Sequence, residues 1–288
     1  MFDLIIKPQN KKGRKILEKV TKRLDEANEA YEVHYTRCKG DAKRIAEELT
    51  EAGRNHILIV GGDGSINDVL SGLKDPSKCT LGIIPAGTGN DFAASAGIPF
   101  GEKALDLILG KEPQEVDYLS FADGRRSFNI AGIGVDVDIL VRCERMKSFH
   151  GKSKYFLSLI ASLCSYRGSK IKIVHEDGRE TVHNAMIAAA CNGKQLGGGI
   201  PLCPVADVAD GKIDLVVVDF PKRSKLPGAL IKLMQGKVLS LPFTHYERCE
   251  TVSVFPEERC VAQYDGELHE ADALEVGIVH GQLKLYRG

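Results

Sequence analysis

The chain has 288 residues, of which 43% are hydrophobic and 27% charged, a composition typical of a soluble globular protein with one large domain or two ordinary ones. Its 39 basic and 39 acidic residues balance, which argues against a nucleic-acid-binding surface. The sequence contains no apolar run of about 18 residues, as a membrane span would need, and the start MFDLIIKPQN does not resemble a secretory signal. We therefore expect a cytoplasmic protein.

Along the first 120 residues, short apolar runs alternate with helical patterns. Four segments predict strands: FDLIIK (2–7), YEVHYT (31–36), HILIV (56–60) and TLGIIP (80–85). Three segments predict helices: the one containing Ile16, Leu17, Val20 and Leu24, then DAKRIAEELTEAG (41–53), then INDVLSGL (66–73). Strand and helix in turn predict parallel strands with crossover helices, so residues 1–120 are expected to form an α/β domain.

From about residue 115 strand patterns dominate. They are EVDYLSF, RRSFNIAGIGV, SKIKIVHED, ETVHNAMIAAACN, KIDLVVVDF, ERCETVSVF, CVAQYDGE, LEVGIVH and QLKLYRG. Two helical patterns interrupt them, near 153–166 and 224–235. Residues 121–288 are therefore expected to form a β-rich, largely antiparallel domain.

The eight cysteines lie far apart and include no C-x-x-C pair. In a chain without an export signal this spacing predicts buried free thiols in a reducing compartment rather than metal ligands.

Two glycine-rich loops follow successive strands of the first domain, Gly61-Gly62-Asp63-Gly64-Ser65 and Pro85-Ala86-Gly87-Thr88-Gly89-Asn90-Asp91. Ligands of open α/β sheets bind at the carboxyl ends of the strands. Glycines let a backbone approach a phosphate, and N–H groups at a helix start can bind it. Asp63 and Asp91 would repel phosphate unless a cation lay between, which predicts Mg²⁺. The alternative is a pair of ordinary strand-to-helix turns with Asp and Ser as N-caps.

The motifs carry a family resemblance. GGDGSINDVLSGL (61–73), followed by LGIIPAGTGNDFAASAGIP (81–99), resembles the catalytic domain of the diacylglycerol kinases and their relatives, the bacterial soluble lipid kinases and the sphingosine kinases. NAD kinases and 6-phosphofructokinases share the GGDG element, whereas GTGNDFA separates the lipid kinases from them. The resemblance continues through AGIGVD (131–136), CNGKQLGGGIPLCPVADVADGKIDLVVV (191–218) and QYDGE (263–267).

This resemblance implies an α/β nucleotide-binding domain followed by a β-sandwich-like domain, with the active site in the cleft between them and the last strand returning to the first domain. It implies transfer of the γ-phosphoryl group of ATP to a lipid hydroxyl, with diacylglycerol favoured as the acceptor. The alternatives are another lipid alcohol, such as phosphatidylglycerol or a sphingoid base, and a nucleotide-binding regulatory protein without catalysis. A soluble-substrate kinase such as an NAD kinase is disfavoured by GTGNDFA.

The resemblance also implies roles for individual residues. Asp265 would be the base, with Glu267 beside it, and Asp63 would join Asp91 in a Mg²⁺–water network. The residues expected to hold nucleotide are Thr36, Gly61, Gly62, Asp63, Gly64, Ser65, Asn67, Thr88, Asn90 and Asp91. A structural Mg²⁺ would be held by Asp210 and the backbone carbonyls of Asp207 and Lys212. From the residues alone, the Asp-Gly pairs in QYDGEL and ADGKI equally predict hairpin turns.

The sequence departs from the family pattern at three places. KPQNKKG (7–13) replaces the usual NP-x-S/A-G loop, so phosphate contact there would fall to Lys11 or Lys12. Ser65 replaces threonine and keeps the hydroxyl. VADG replaces LDDG, which removes an acidic group near the expected structural metal.

Residues 221–246 contain five Lys or Arg and no acidic residue, mixed with leucines. Basic and apolar residues together predict peripheral contact with the anionic inner face of the membrane, where the lipid substrate would be met. The alternative is a solvated helix with one packed face. Members of the family can be dimers, so a homodimer is one expectation for assembly.

Overall fold

The computed structural model describes residues 1–7, 11–145 and 152–288. These residues form two units. The first comprises Met1–Asp117 and His280–Gly288, and the second comprises Tyr118–Val279.

The first unit alternates strands and helices, as the sequence predicts. Its strands are β1 (Phe2–Ile6), β2 (Tyr31–Tyr35), β3 (His56–Gly61) and β4 (Thr80–Pro85). Its helices are α1 (Lys11–Glu26), α2 (Asp41–Glu51), α3 (Asp63–Gly72), α4 (Asp91–Ser95) and α5 (Leu105–Gly110), with 3₁₀ turns at Pro76–Lys78 and Gly101–Ala104. The strands lie in the order β4-β3-β1-β2, and all their pairings are parallel.

The burial of these strands explains their sequences. Every residue of β1 is buried, as is every residue of β3 and β4 after the first. Parallel strands covered by helices on both faces are read as continuous apolar runs rather than alternating ones. The edge strand β2 is less buried and shows mixed polarity. This arrangement places the residues that follow β3 and β4 side by side at one edge of the sheet.

The second unit consists mainly of antiparallel strands. Strand β5 (Gln114–Phe121) leads into this unit. Its further strands are β6 (Arg126–Ser127), β7 (Ile130–Gly134), β8 (Ser169–His175), β9 (Glu180–Cys191), β10 (Ile213–Asp219), β11 (Thr244–Cys249), β12 (Thr251–Pro256), β13 (Cys260–Tyr264) and β14 (Glu267–Ala271). The last strand, β15 (Leu274–Leu285), begins in this unit, and from His280 onward it belongs to the first unit. The long strand β9 pairs with β8 along its first half and with β7 along its second half, and β10 lies on its other edge. Strand β10 in turn pairs with β11.

The helices of the second unit are α6 (Val135–Arg145), α7 (Lys152–Ser165) and α8 (Leu226–Met234), with 3₁₀ turns at Arg223–Lys225 and Val238–Ser240. Two buried clusters form on alternate residues of the strands. Leu215 and Val217 of β10 belong to one cluster, whereas Val216 and Val218 belong to the other, together with residues of α6 and α7. The period-two alternation of a strand therefore supplies two cores at once.

The structure corrects three expectations. LEVGIVH and QLKLYRG form one strand, β15, because Gly281 at φ 64° continues the chain while its N–H donates to the buried Asp117 carboxylate at 3.1 Å. Three helices rather than two interrupt the strands, since residues 135–145 form helix α6, for which no helix was predicted. The cysteines are free thiols, but Cys38 and Cys164 are exposed rather than buried, because both lie outside the packed faces.

Within the described part of the chain, no helix has the length and apolar character that crossing a membrane requires.

A glycine at the end of α3 lets this helix approach α2 closely. A Cβ on Gly72 would lie 2.2 Å from the backbone oxygen of Lys43 in α2, whereas a Cβ on Gly110 at the end of α5 would meet nothing within 4 Å. We expect Gly72→Ala to lower the free energy of unfolding by about 1–3 kcal/mol through overpacking. Gly110→Ala is the matched control and should leave it unchanged or slightly raised. Equal denaturant midpoints for the two variants would contradict the close approach.

Candidate functional site

The two glycine-rich loops of the first unit pack backbone against backbone. A Cβ on Gly62 would lie 2.9 Å from the Cα of Gly87, and a Cβ on Gly87 would lie 2.6 Å from the Cα of Gly62. The Ala86 N–H donates to the carbonyl of Gly61 at 2.8 Å. At Gly64, by contrast, a Cβ would meet open space. Contact between the loops therefore explains why positions 62 and 87 require glycine. Gly64, in contrast, leaves the start of α3 accessible from solvent.

The Asp63 carboxylate joins the same two loops. It accepts the backbone N–H of Asn90 at 2.7 Å and that of Phe92 at 3.4 Å. Asp63, the first residue of α3, thus also satisfies donors at the start of α4. A carboxylate offers about four acceptor positions, so two remain for another ligand.

Asn90 shapes the second loop. It has a left-handed backbone (φ 59°, ψ 42°), and its side chain accepts from the Gly87 N–H at 2.9 Å and donates to the Gly87 carbonyl at 3.0 Å. Its side chain therefore closes the loop on itself, and what it offers a nucleotide is the shape of that loop. The next residue, Asp91, is 6% exposed.

Asn67 carries an oxygen without a partner. It lies four residues after Asp63 on α3, which places both side chains on one helix face. Its side chain is 6% exposed, and its Oδ1 has no hydrogen-bond partner among the described residues. Oxygen ligands of this kind suit a hard cation such as Mg²⁺. The residues present therefore fit the expected metal.

The other candidates of this unit are distributed around the loops. Thr36 follows β2, where it is buried and bonds the carbonyl of Ile6 through its N–H at 2.9 Å and its hydroxyl at 3.4 Å. Ser65 packs against Gly61, since a Cβ there would lie 2.8 Å from the Ser65 hydroxyl oxygen. Thr88 is exposed at the tip of its loop. Residues 8–10 and the side chains of Lys11 and Lys12 lie outside what the structure describes, so the expected phosphate contact of KPQNKKG stays a prediction.

In the second unit, Asp265 lies in the hairpin turn between β13 and β14. Asp265 at φ 49° and Gly266 at φ 88° are both left-handed, the pattern of a two-residue type I′ turn. The turn predicted from the Asp-Gly pair is therefore present, and it coexists with the side-chain environment of a candidate base.

Four donors hold the Asp265 carboxylate. Its Oδ1 accepts from the Ser127 hydroxyl at 2.5 Å and from the N–H groups of Asn129 and Ile130, both at 3.0 Å. Among the described residues, its Oδ2 accepts from the Phe128 N–H alone, at 2.8 Å. Burial raises the pKa of Asp265 to about 6, and these donors limit the rise because they favour the charged form. Although the residue keeps some exposure, its carboxylate is held in a fixed direction with acceptor capacity left on Oδ2.

Two further acids lie in this unit. Glu267 begins β14, two residues after Asp265, and its carboxylate lies 3.9 Å from the imidazole of His269. Asp136, at the start of α6, is 2% exposed, and neither of its carboxylate oxygens has a partner within hydrogen-bond distance among the described residues. Burial raises the pKa of Asp136 to about 6, against smaller lowering by the Val137 N–H and the Gln263 amide.

Sequence reasoning gave Asp136 no role. Asp136 ends the AGIGVD motif, and no local pattern in the sequence distinguishes it from Asp138 two residues later. The two acids differ only in their surroundings. Asp138 is paired with Arg142 at 2.7 Å, whereas the buried Asp136 has no ion pair with any of the described residues. The signal available in the sequence was an acidic residue two positions after the end of the G-x-G segment; its burial is visible only in the structure.

The residues expected to hold a structural Mg²⁺ have a different partner. Asp210 pairs with the Arg248 guanidinium and accepts the Lys212 N–H at 3.0 Å. Asp207 accepts the N–H of Ala209 at 3.1 Å. The buried Asp214 also faces Arg248, at 3.8 Å. A guanidinium thus supplies the positive charge beside Asp210, so the side chains here do not fit the expected metal.

Both parts of the chain match known domain families. Residues 4–121 match the model of the diacylglycerol kinase catalytic domain, and residues 129–287 match that of the YegS C-terminal NAD kinase beta sandwich-like domain. The chain is 32% identical over 245 residues to the "Probable lipid kinase YegS" of Salmonella arizonae, covering 81% of this chain and 78% of that protein. It is 28% identical over 263 residues to a diacylglycerol kinase of Bacillus subtilis, covering 88% and 86%.

A solved structure of a diacylglycerol kinase from Bacillus anthracis is similar in fold. It superposes with a TM-score of 0.76 at 21% identity, covering 100% of this chain and 96% of that one.

An ion pair between Arg248 and Asp210 predicts a different response to divalent cations from a metal site at Asp210. We expect Arg248→Met to lower the free energy of unfolding by about 1 kcal/mol in a divalent-free buffer, since the pair is partly exposed. Added Mg²⁺ or Ca²⁺ should restore stability to the variant and leave the wild type unchanged, because only the variant has Asp210 unpaired. Lys212→Met, which removes the neighbouring pair with Glu250, is the control and should gain no metal response. A wild type stabilised by Mg²⁺ without nucleotide would contradict the assignment.

Proposed function

The chain belongs to the family of lipid kinases that join a diacylglycerol kinase catalytic domain to a YegS-type C-terminal domain, and we propose that it transfers the γ-phosphoryl group of ATP to the free hydroxyl of diacylglycerol, giving phosphatidate and ADP. The observation that carries the proposal is the Asp265 carboxylate, which is fixed by four donors while acceptor capacity remains on Oδ2.

The glycine-rich loops of the first unit would receive the triphosphate. Gly64 leaves open space at the start of α3, and the first-turn N–H groups of a helix have no intrahelical acceptor. Mg²⁺ would be held with the phosphates by Asp63 and Asp91, with Asn67 Oδ1 as a further oxygen, and would offset the phosphate charge. Asp63 would do this while it holds the two loops together, so the loop geometry and the metal position depend on one side chain.

Asp265 would act as the general base. Its pKa of about 6 leaves it ionised at neutral pH yet basic enough to receive a proton as the substrate hydroxyl attacks. In the proposed step the hydroxyl oxygen bonds to the γ-phosphorus, the bond to the β-γ bridging oxygen breaks, and the hydroxyl proton moves to Asp265 Oδ2. The four donors serve to aim this oxygen, because such chemistry depends mainly on positioning.

The acyl chains have a candidate site in the second unit. A narrow pocket of about 70 Å³ lies among α6, α7 and α8. This volume is below the range of drug-sized ligand sites, so an acyl chain would enter the pocket only in part. Apart from Asp136 its main lining is apolar, and it includes Ile139, Tyr155, Leu159, Leu163, Leu230 and Leu233. Asp136 adds a buried carboxyl with no partner within hydrogen-bond distance in the described part of the chain, and this carboxyl would bond a polar group of the acceptor near the acyl chains. An apolar pocket with one polar group favours a lipid alcohol over a soluble acceptor.

The helices beside this pocket also suit a membrane surface. Phe156, Leu157 and Ile160 of α7 are exposed, as are Ile231 and Met234 of α8. Basic side chains accompany them at the exposed positions Lys222, Lys225 and Lys232. Exposed apolar side chains with lysines around them are typical of surfaces that contact anionic lipid. We propose that this face, the α7–α8 surface, meets the inner leaflet and admits the lipid.

The kinase reaction is tested by transfer of labelled γ-phosphate from ATP–Mg²⁺ to a panel of lipids in mixed micelles. We expect phosphatidate from the wild type and a loss of about 10²–10⁴-fold in rate for Asp265→Asn, which keeps the shape but not the base. Transfer to another lipid alcohol instead would keep the mechanism and replace the acceptor. Nucleotide binding without transfer to any lipid would overturn the proposal in favour of a regulatory role.

The pH dependence tests the base itself. Only the ionised carboxylate accepts a proton, so kcat/KM should be level above pH 6 and fall about tenfold per unit below it. Ser127→Ala removes a donor that lowers the pKa of Asp265, so the acid limb should move to higher pH. Ser120→Ala, on the adjacent strand β5, is the control. An acid limb that stays in place in Ser127→Ala would exclude Asp265 as the titrating group.

Membrane contact is tested by sedimentation with anionic vesicles. Each lysine near such a surface contributes about 1 kcal/mol, so the triple variant Lys222→Gln, Lys225→Gln and Lys232→Gln should bind roughly 100-fold more weakly. The matched control neutralises Lys170, Lys172 and Lys212, which are paired with glutamates elsewhere in the second unit. Equal loss in both variants would indicate a net-charge effect and remove the α7–α8 surface from the proposal.

A further inference from the structure

A strip of polar side chains crosses the strands β8 to β11 of the second unit. Its members, the histidine strip, are His175, Thr181, His183, Asp219 and His245. His183 lies opposite Ile171 and His245 lies opposite Val217, and both of these neighbours belong to a buried core cluster. The pairing of β9 with β10 shifts register between Val218 and Asp219. Such irregularities re-aim side chains and often lie at functional sites. The apolar face of these strands is therefore bordered by the imidazoles and the carboxylate of the histidine strip.

At the centre of the strip, Asp219 lies between two imidazoles. His183 Nδ1 is 3.0 Å from Asp219 Oδ1, and His245 Nε2 is 2.7 Å from Asp219 Oδ2. One ligand atom from each residue lies within 4.8 Å of the others. His183 is largely buried, whereas His245 is half exposed, and a groove lined by both opens beside them.

The contacts around His175 indicate which of its two ring nitrogens carries the proton. The guanidinium of Arg179 lies 3.3 Å from His175 Nε2, and a guanidinium can only donate. His175 Nε2 is therefore an acceptor, and Nδ1 carries the proton that is donated to Glu247 at 2.9 Å.

The same direction continues through Thr181 to His183. The Thr181 hydroxyl lies 2.9 Å from His175 Nε2 and donates to it, so its oxygen accepts from His183 Nε2, at 3.0 Å. With its proton on Nε2, a neutral His183 directs the lone pair of Nδ1 at the Asp219 carboxylate. Two acceptors 3.0 Å apart require a positive charge between them.

We propose that this charge is a divalent transition-metal ion of the Zn²⁺ class, bound by His183 Nδ1, Asp219 and His245 Nε2. Two imidazoles and one carboxylate form a ligand set that Zn²⁺ uses, and such ions prefer imidazole where Mg²⁺ prefers oxygen. The fourth position faces the groove and takes water. Thr181 supplies the outer hydrogen bond that metal-bound histidines commonly make through their other nitrogen.

A second cluster of possible metal ligands differs from the histidine strip, because an arginine lies beside it. Asp3, Glu32 and His34 also bring ligand atoms within 4.8 Å. There the Arg54 guanidinium pairs with both Asp3 and Glu32 and supplies the positive charge. Around Asp219, the ion pairs of the described residues involve the two histidines alone.

The test is titration of the chelator-treated full-length protein with Zn²⁺ by calorimetry, and with Co²⁺ by absorption spectroscopy. We expect one equivalent bound, Co²⁺ bands without thiolate charge transfer, and a Tm raised by Zn²⁺, since a site absent from the unfolded chain stabilises the fold. His183→Ala and Asp219→Asn should abolish binding. Thr181→Val should weaken it about 10–100-fold while Thr181→Ser keeps it.

His34→Ala is the matched control and should bind as the wild type does. Absence of a stoichiometric site would overturn the proposal and leave a proton on His183 as the charge. Binding that survives in His183→Ala, or thiolate bands from the exposed Cys38 or Cys164, would assign the metal elsewhere. None of these readouts uses phosphoryl transfer, so they stand apart from the kinase proposal.

Discussion

The second unit depends on how one partly buried carboxylate is held. Asp265 sits in a left-handed turn, and its side chain reaches back 138 positions to bond Ser127 and the backbone N–H groups that follow it. These bonds tie the β13–β14 hairpin to the segment between β6 and β7, next to the pairing of β13 with β7. A buried charge is costly unless hydrogen bonds compensate it. The four donors make the ionised form tolerable, and the remaining burial keeps the pKa near neutrality.

The first unit uses a carboxylate in a related way. Asp63 begins α3 and accepts two N–H groups from the start of α4, so it joins loops that follow neighbouring parallel strands. The glycines allow this, because Gly62 and Gly87 leave no room for side chains between the loops. Glycine richness, taken from sequence as freedom to approach a ligand, is at these two positions a packing requirement between loops.

The other buried or half-buried carboxylates differ in what compensates them. Asp210 has a guanidinium, Asp136 has no partner within hydrogen-bond distance among the described residues, and Asp219 has two imidazoles. The compensating group limits what each acid can do. An arginine already neutralises the charge of the carboxylate that it pairs with, so such a carboxylate does not require a metal. A carboxylate without a partner is available to a ligand, and one between two imidazoles can bind a cation together with them.

The sequence by itself determined the four strands and the first three helices of the first unit, the β-rich character of the second, the Asp-Gly turn and the family. These follow from apolar periodicity, turn residues and contiguous motifs, which are local properties of the chain. Only the tertiary structure decided that Ser127 faces Asp265, that Arg248 stands beside Asp210, that Asp136 is buried while Asp138 is paired, and that His183, Asp219 and His245 converge. The physical reason is that strand register and long-range pairing bring these side chains together, and no local pattern encodes which distant strand lies alongside another.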